Sequence, residues 1–163
     1  MKKKSISNPI MQDFATPSLL RRFAAMIYDS LLLMAISILY GALATGINVL
    51  INGAPATGER VSWNEFGVVV FIGWLATINF FFCYFWHKSG QTLGMKTWRM
   101  RMHQTANMEL PTYKQCVIRC CLAPISLLAL GIGYWAMYLN TERQTLHDKI
   151  SNTRILLLAK DKK

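Results

Sequence analysis

The sequence predicts an all-α membrane protein with three apolar segments and a small β element on one face. Three observations predict it. Charged residues make up only 16% of the 163 residues, against roughly 25% in a soluble domain. Those charges are segregated, because Ser30–Gly58, Phe66–His87 and Cys120–Thr141 contain no Lys, Arg, Asp or Glu. Each run meets the ~20 residues that a helix rising ~1.5 Å per residue needs to cross a hydrocarbon core of ~30 Å. Finally, two polar phrases nearly rhyme after the second and third runs, "GQTLGMKTWRMRM" at Gly90–Met102 and "RQTLHDKISNTRIL" at Arg143–Leu156. Each reads Gln-Thr-Leu, two residues, Lys, then an Arg.

The length fits one domain: a tail over 1–17, a membrane body over 18–158 and a basic end over 159–163. Soluble buried helices usually keep a polar stripe, and "FGVVVFIGWLATINFFFCYFW" has none. The "ALA" of Ala42–Ala44 has the form of a signal-peptide cleavage site, but the long tail before the run and Asp29 within it argue against cleavage. The net charge of +10 brackets the apolar runs rather than covering one surface. That is positive-inside topology, and nucleic acid is not an expected partner. Cys83, Cys116, Cys120 and Cys121 show no metal spacing and read as small hydrophobes. No Ser-His-Asp set, Gly-rich phosphate loop or metal spacing appears, so neither catalysis nor a cofactor is expected.

The first tail carries Lys2, Lys3, Lys4, Arg21 and Arg22 against Asp13, whereas the connection Gly46–Glu65 carries only Arg60 against Glu59 and Glu65. His87–Arg119 is again basic. The bias places the N-terminus and the first phrase in the cytoplasm. For the third run two readings stand. A single span puts the basic C-terminal end outside, against the bias. A segment bent at Pro124 or at the "GIG" of Gly131–Gly133 returns it to the cytoplasm. "TWRMRMHQTANMELPTY" reads as a hairpin turning at Thr105–Asn107, and "NTRILLLAK" as a further strand. A lone hairpin is marginal, so a third strand on the same side favours the bent reading.

Asp29 is the most informative residue. It follows Arg22 by seven positions, and seven steps of ~100° put both on one helix face, ~10.5 Å apart along the axis. An aspartate inside a membrane helix costs about 2.5–3.5 kcal/mol to insert. It therefore marks either an ion or proton site or a structural anchor. Asn79 reads as helix–helix glue, and His87 as an interfacial anchor. His147 and Asp148 are adjacent and face different ways on a helix, so they make no catalytic pair. Lys96, Arg99 and Arg101 follow the first phrase and suit anionic lipid headgroups or a positive-inside anchor. Ala42 and Gly46 form a small-residue pair suited to helix packing.

"RRFAAMIYD", "GQTLGMKTWRMRM" and "LHDKISNTRIL" together resemble the RDD family of bacterial inner-membrane proteins, from about Ser18 to Leu157. By that resemblance the family's arginine and two aspartates map onto Arg22, Asp29 and Asp148. Members often carry a second glycine where this chain has Met95-Lys96-Thr97-Trp98-Arg99, a departure at the first phrase. The resemblance implies a multi-pass inner-membrane protein and, for some members, sodium/proton antiport. Two functions follow as expectations: a small cation/proton transporter using Asp29, or a non-transporting scaffold or accessory subunit. A carrier this short would need a second copy or a membrane-protein partner, besides the lipid bilayer itself.

Overall fold

The computed structural model describes residues 15–63, 66–129, 132–139 and 144–158. Two apolar runs form the helices α1, Leu19–Asn52, and α2, Phe66–Ser89. Both are long and apolar enough to cross a membrane. None of the most apolar window of α1 is buried, and 11% of that of α2 is. These are therefore not the core helices of a soluble bundle, which would be covered by protein. Mid-helix, Tyr40 Oη donates to Val70 O at 2.8 Å and Trp74 Nε1 donates to Ser37 Oγ at 2.9 Å. The buried face of α1 lies mostly in its first three turns, at Leu19, Arg22, Ala25 and Asp29.

The third apolar run is not one spanning helix. It divides into α4, Tyr113–Leu128, and α5, Ile132–Leu139, each shorter than the ~20 residues a span requires. Pro124 lies inside α4 and removes a backbone donor there. Gly133 sits against Ser126, whose Oγ would be 2.4 Å from an added Cβ, so α5 packs closely on the end of α4.

Each polar phrase folds into the same small unit. Thr92 caps a five-residue helix, α3 (Leu93–Thr97), and Thr145 caps another, α6 (Leu146–Ile150). A residue of positive φ follows each, Arg99 at 58° and Asn152 at 50°. Then come strands β1, Met100–Gln104, and β2, Thr153–Leu157. The offset between counterparts is constant throughout. The strands pair antiparallel, and at the centre Met102 faces Ile155, its own counterpart. The two units are thus related by an approximate twofold through that pair. Because β1 precedes α4 and β2 follows α6, the third apolar run leaves and returns to one sheet, and both phrases lie on one face.

The expected hairpin is only half present. Thr105–Asn107 does turn, but residues 108–112 form no strand. Met108 takes a φ of 61° and Pro111 has no N–H. One backbone bond crosses the turn, from Gln104 N to Glu109 O at 2.9 Å, and side chains take the carbonyls on either side, with Gln104 Nε2 on Leu110 O and His103 Nδ1 on Met108 O. The partner of β1 comes from far along the chain. Beneath the sheet lies a core of Ala25, Trp86, Met95, Met100, Met102, Cys116 and Ile155.

Candidate functional site

The face shared by Arg22 and Asp29 is buried, as the helical spacing predicts, yet the two do not pair. Asp29 Oδ2 accepts from Thr92 Oγ1 at 2.5 Å and Oδ1 accepts from Gly94 N at 2.9 Å. Asp29 therefore serves the start of α3. The approach is close enough to demand glycine: a Cβ on Gly94 would lie 2.2 Å from Ala25 O.

Arg22 reaches the other unit. Its Nη1 lies 2.6 Å from Asp148 Oδ2. Asp148 is 0% exposed, and its Oδ1 is held by Arg119 Nη1, which also donates to Thr153 Oγ1 at 3.1 Å. Asp148 and Thr145 form a reciprocal capping box, the carboxylate accepting from Thr145 N and Thr145 Oγ1 accepting from Asp148 N. Burial alone would push the Asp148 carboxyl up. The Arg119 and Arg22 guanidiniums outweigh it and hold the group well below the usual carboxylate range.

His147 is buried beside this cluster, with Nε2 4.0 Å from Asp148 Oδ1 and 2.9 Å from Thr145 Oγ1. Burial, and then the nearby Arg119, lower its pKa to about 3, so it is neutral near pH 7. The Thr145 hydroxyl accepts from Asp148 N and can either donate to His147 Nε2 or accept from it, according to the imidazole tautomer.

Arg22, Asp29, Trp86, Arg119 and His147 all border one cavity of about 530 Å³. Its remaining walls are mainly apolar, from α2 and α4 among others, including Leu75, Phe82 and Pro124. Arg119 lies over the Trp86 ring at 5.5 Å. Arg22 Nε and Nη2, Trp86 Nε1 and His147 Nδ1 are buried and have no hydrogen-bond partner among the described residues.

Apart from Asn79, the other predicted residues lie away from the cavity. Lys96 is exposed. Arg99 Nη2 donates to Leu158 O at 2.7 Å and Arg101 Nε donates to Ser89 O at 3.0 Å, so both guanidiniums also fasten the backbone. Asn79 borders the cavity but donates to Leu75 O of its own helix, not to a neighbour. His87 bonds Pro111 O at 2.9 Å. A Cβ added at Gly46 would meet nothing within 4 Å among the described residues, so no helix packs closely there. Sequence reasoning missed Arg119, Thr92 and Thr153. The one available signal was the Thr-x-x-Asp of Thr145–Asp148, a capping-box pattern.

Comparison with known proteins places residues 16–152 on the model of the RDD family. An uncharacterized protein of Rickettsia prowazekii (strain Madrid E) is 26% identical over 91 residues, which is 56% of this chain and 50% of that protein. The matched region thus spans about half the length of this curated relative. No solved structure matches.

Proposed function

The chain belongs to the RDD family, a family of membrane proteins, and from that premise we propose that it is a small cation- or proton-coupled carrier with Asp29 as the titrating group. One observation supports the reading above others: a carboxylate that is costly to place in an apolar helix forms part of the wall of a sizeable cavity. Both Asp29 oxygens accept hydrogen bonds from the α3 unit. A proton or cation arriving there competes with those donors and loosens α1 from α3. Occupancy is thereby coupled to the position of α3. The basic bias of the first tail and of His87–Arg119 supports a cytoplasmic N-terminus, with both phrases on that side of an inner membrane. The third apolar run supplies no further spanning helix among the described residues, which favours pairing with a second copy or a membrane partner.

The test is proton flux in reconstituted vesicles on adding Na⁺, Li⁺ or K⁺. Asp29→Asn keeps an oxygen for Gly94 N and offers its amide to Thr92 Oγ1, so it is expected to insert and fold while flux disappears. Undiminished flux in that variant sinks the reading. A second reading, a non-transporting scaffold, is favoured by the Arg22–Asp148–Arg119 cluster, which ties α1, α4 and α6 together. It predicts no flux in either protein and a partner that co-purifies stoichiometrically.

A further inference from the structure

Buried donors without partners are rare in folded proteins, because each costs about 1–3 kcal/mol of desolvation. Here three such N–H groups, Arg22 Nε and Nη2 and Trp86 Nε1, border one cavity, and the ring nitrogen His147 Nδ1 on the same wall is likewise unpartnered among the described residues. All three side chains are more than nine-tenths buried, with Arg22 4%, Trp86 8% and His147 2% exposed. No carboxylate oxygen of Asp29 or Asp148 is left over in the same way, since each accepts a bond. The site lacks acceptors, not donors.

The shape of the missing acceptor follows from Arg22. Its Nη1 is engaged by Asp148. The free groups, Nε and Nη2, form the edge of the guanidinium whose two N–H bonds run parallel. That edge matches two oxygens on one atom, as in a carboxylate or phosphate, better than a single carbonyl. Arg22 and Arg119 of the cavity wall are offset by Asp29 in that wall and by Asp148 behind them, so what recommends an oxyanion is this unfilled fork rather than excess charge. The remaining walls are mainly apolar, and the volume of about 530 Å³ lies within the roughly 300–1,000 Å³ of small-molecule sites. Those walls include Leu75, Ile78 and Phe82 of α2, a candidate membrane span.

We infer that the cavity binds an anionic amphiphile, its oxyanion head on the free edge of Arg22 with Trp86 Nε1 beside it, and its aliphatic tail between α2 and α4. The proposal concerns binding, not turnover, and so stands apart from the flux reading. Asp29→Asn is expected to lose flux and still bind.

The experiment is calorimetric titration of the full chain in a neutral maltoside detergent with four probes. Lysophosphatidylglycerol and palmitate carry head and tail, dodecanol carries the tail alone, and inorganic phosphate carries the head alone. Saturable 1:1 binding of at least one anionic amphiphile, at least tenfold tighter than dodecanol and than phosphate, is expected. The tighter of the two amphiphiles identifies a phosphate or a carboxylate head. Arg22→Lys keeps a cation for Asp148 but has no fork, and should weaken that binding at least tenfold. Trp86→Phe, with one donor removed, should weaken it by a smaller factor. Amphiphile binding no tighter than dodecanol or phosphate overturns the proposal, as does an unchanged affinity in folded Arg22→Lys. If Arg22→Lys does not fold, the wild-type probe series decides alone.

Discussion

Replacing Asp148 with Asn tests whether the buried cluster is the keystone of this fold. The substitution keeps the volume and the capping oxygen but removes the charge. Arg22 and Arg119, 4% exposed each, would then face one another with no counter-ion. Removing one partner from a buried ion pair costs about 3–5 kcal/mol, chiefly because the other charge remains buried. For a chain of 163 residues, at roughly 2–4 °C per kcal/mol, that is a fall in Tm of roughly 6–20 °C. The assay is a thermal melt of purified protein in detergent, followed by near-ultraviolet circular dichroism. The same logic requires a rescue. Arg119→Met added to Asp148→Asn removes one orphaned charge, so the double variant should melt above the single one despite carrying one more substitution. A single-variant Tm within about 2 °C of wild type, or a double variant whose losses simply add, refutes the account.

Two further outcomes follow from the geometry. Gly94→Ala drives a Cβ to 2.2 Å from Ala25 O, which is backbone and cannot turn aside; overpacking of this kind costs about 1–3 kcal/mol. Urea denaturation should show that loss, while Gly46→Ala, which would meet nothing within 4 Å, is neutral or stabilising. Acid should destabilise the protein in two stages. Both Asp148 and His147 are depressed in the fold, so the unfolded chain takes up protons first and stability falls with pH. The His147 part is lost between its ordinary 6.5 and about 3, and the Asp148 part below its ordinary 3.8. Melts at pH 7, 5 and 4 should fall in that order, and His147→Gln should flatten the upper part of that decline.

Much of this was legible in the residues, and what was not has a physical cause. The charge-free runs gave α1 and α2, because span length and composition are local properties. The seven-residue spacing put Arg22 and Asp29 on one face, because helix geometry is local too. Their partners were not readable. Arg22 meets a carboxylate 126 positions away, and nothing in a single sequence says which of several acidic residues folds back to it. Arg119 stands in "CVIRCC" at the edge of an apolar run, where an arginine reads equally as a topology anchor. The second arm of the hairpin failed for a related reason. Alternating side chains suggested a strand, but Met108 in the left-handed region and the missing N–H of Pro111 stop the local pairing after one backbone bond, Gln104 N to Glu109 O, and the strand that pairs with β1 comes from a distance.

The spacing on α1 and the rhyme between the two phrases explain each other. Each phrase builds a threonine-capped helix and a strand, and the strands meet through Met102 and Ile155. The units differ in where the carboxylate at the helix start comes from. In the second unit Asp148 supplies it from within, next to its own capping threonine. In the first unit Met95 holds the corresponding position, so no carboxylate is available locally, and Asp29 of α1 supplies one instead, on Thr92 and Gly94. The second unit then has a buried negative charge to neutralise, and α1 provides Arg22 for it two turns earlier. An acid and a base on one face, two turns apart, are what a single straight helix needs to serve two units related by a twofold but differing in charge. Exchanging the two, Arg22→Asp together with Asp29→Arg, would set a second carboxylate beside Asp148 and a guanidinium beside the N–H of Gly94. Both contacts become repulsive, and the helix loses its hold on both units together.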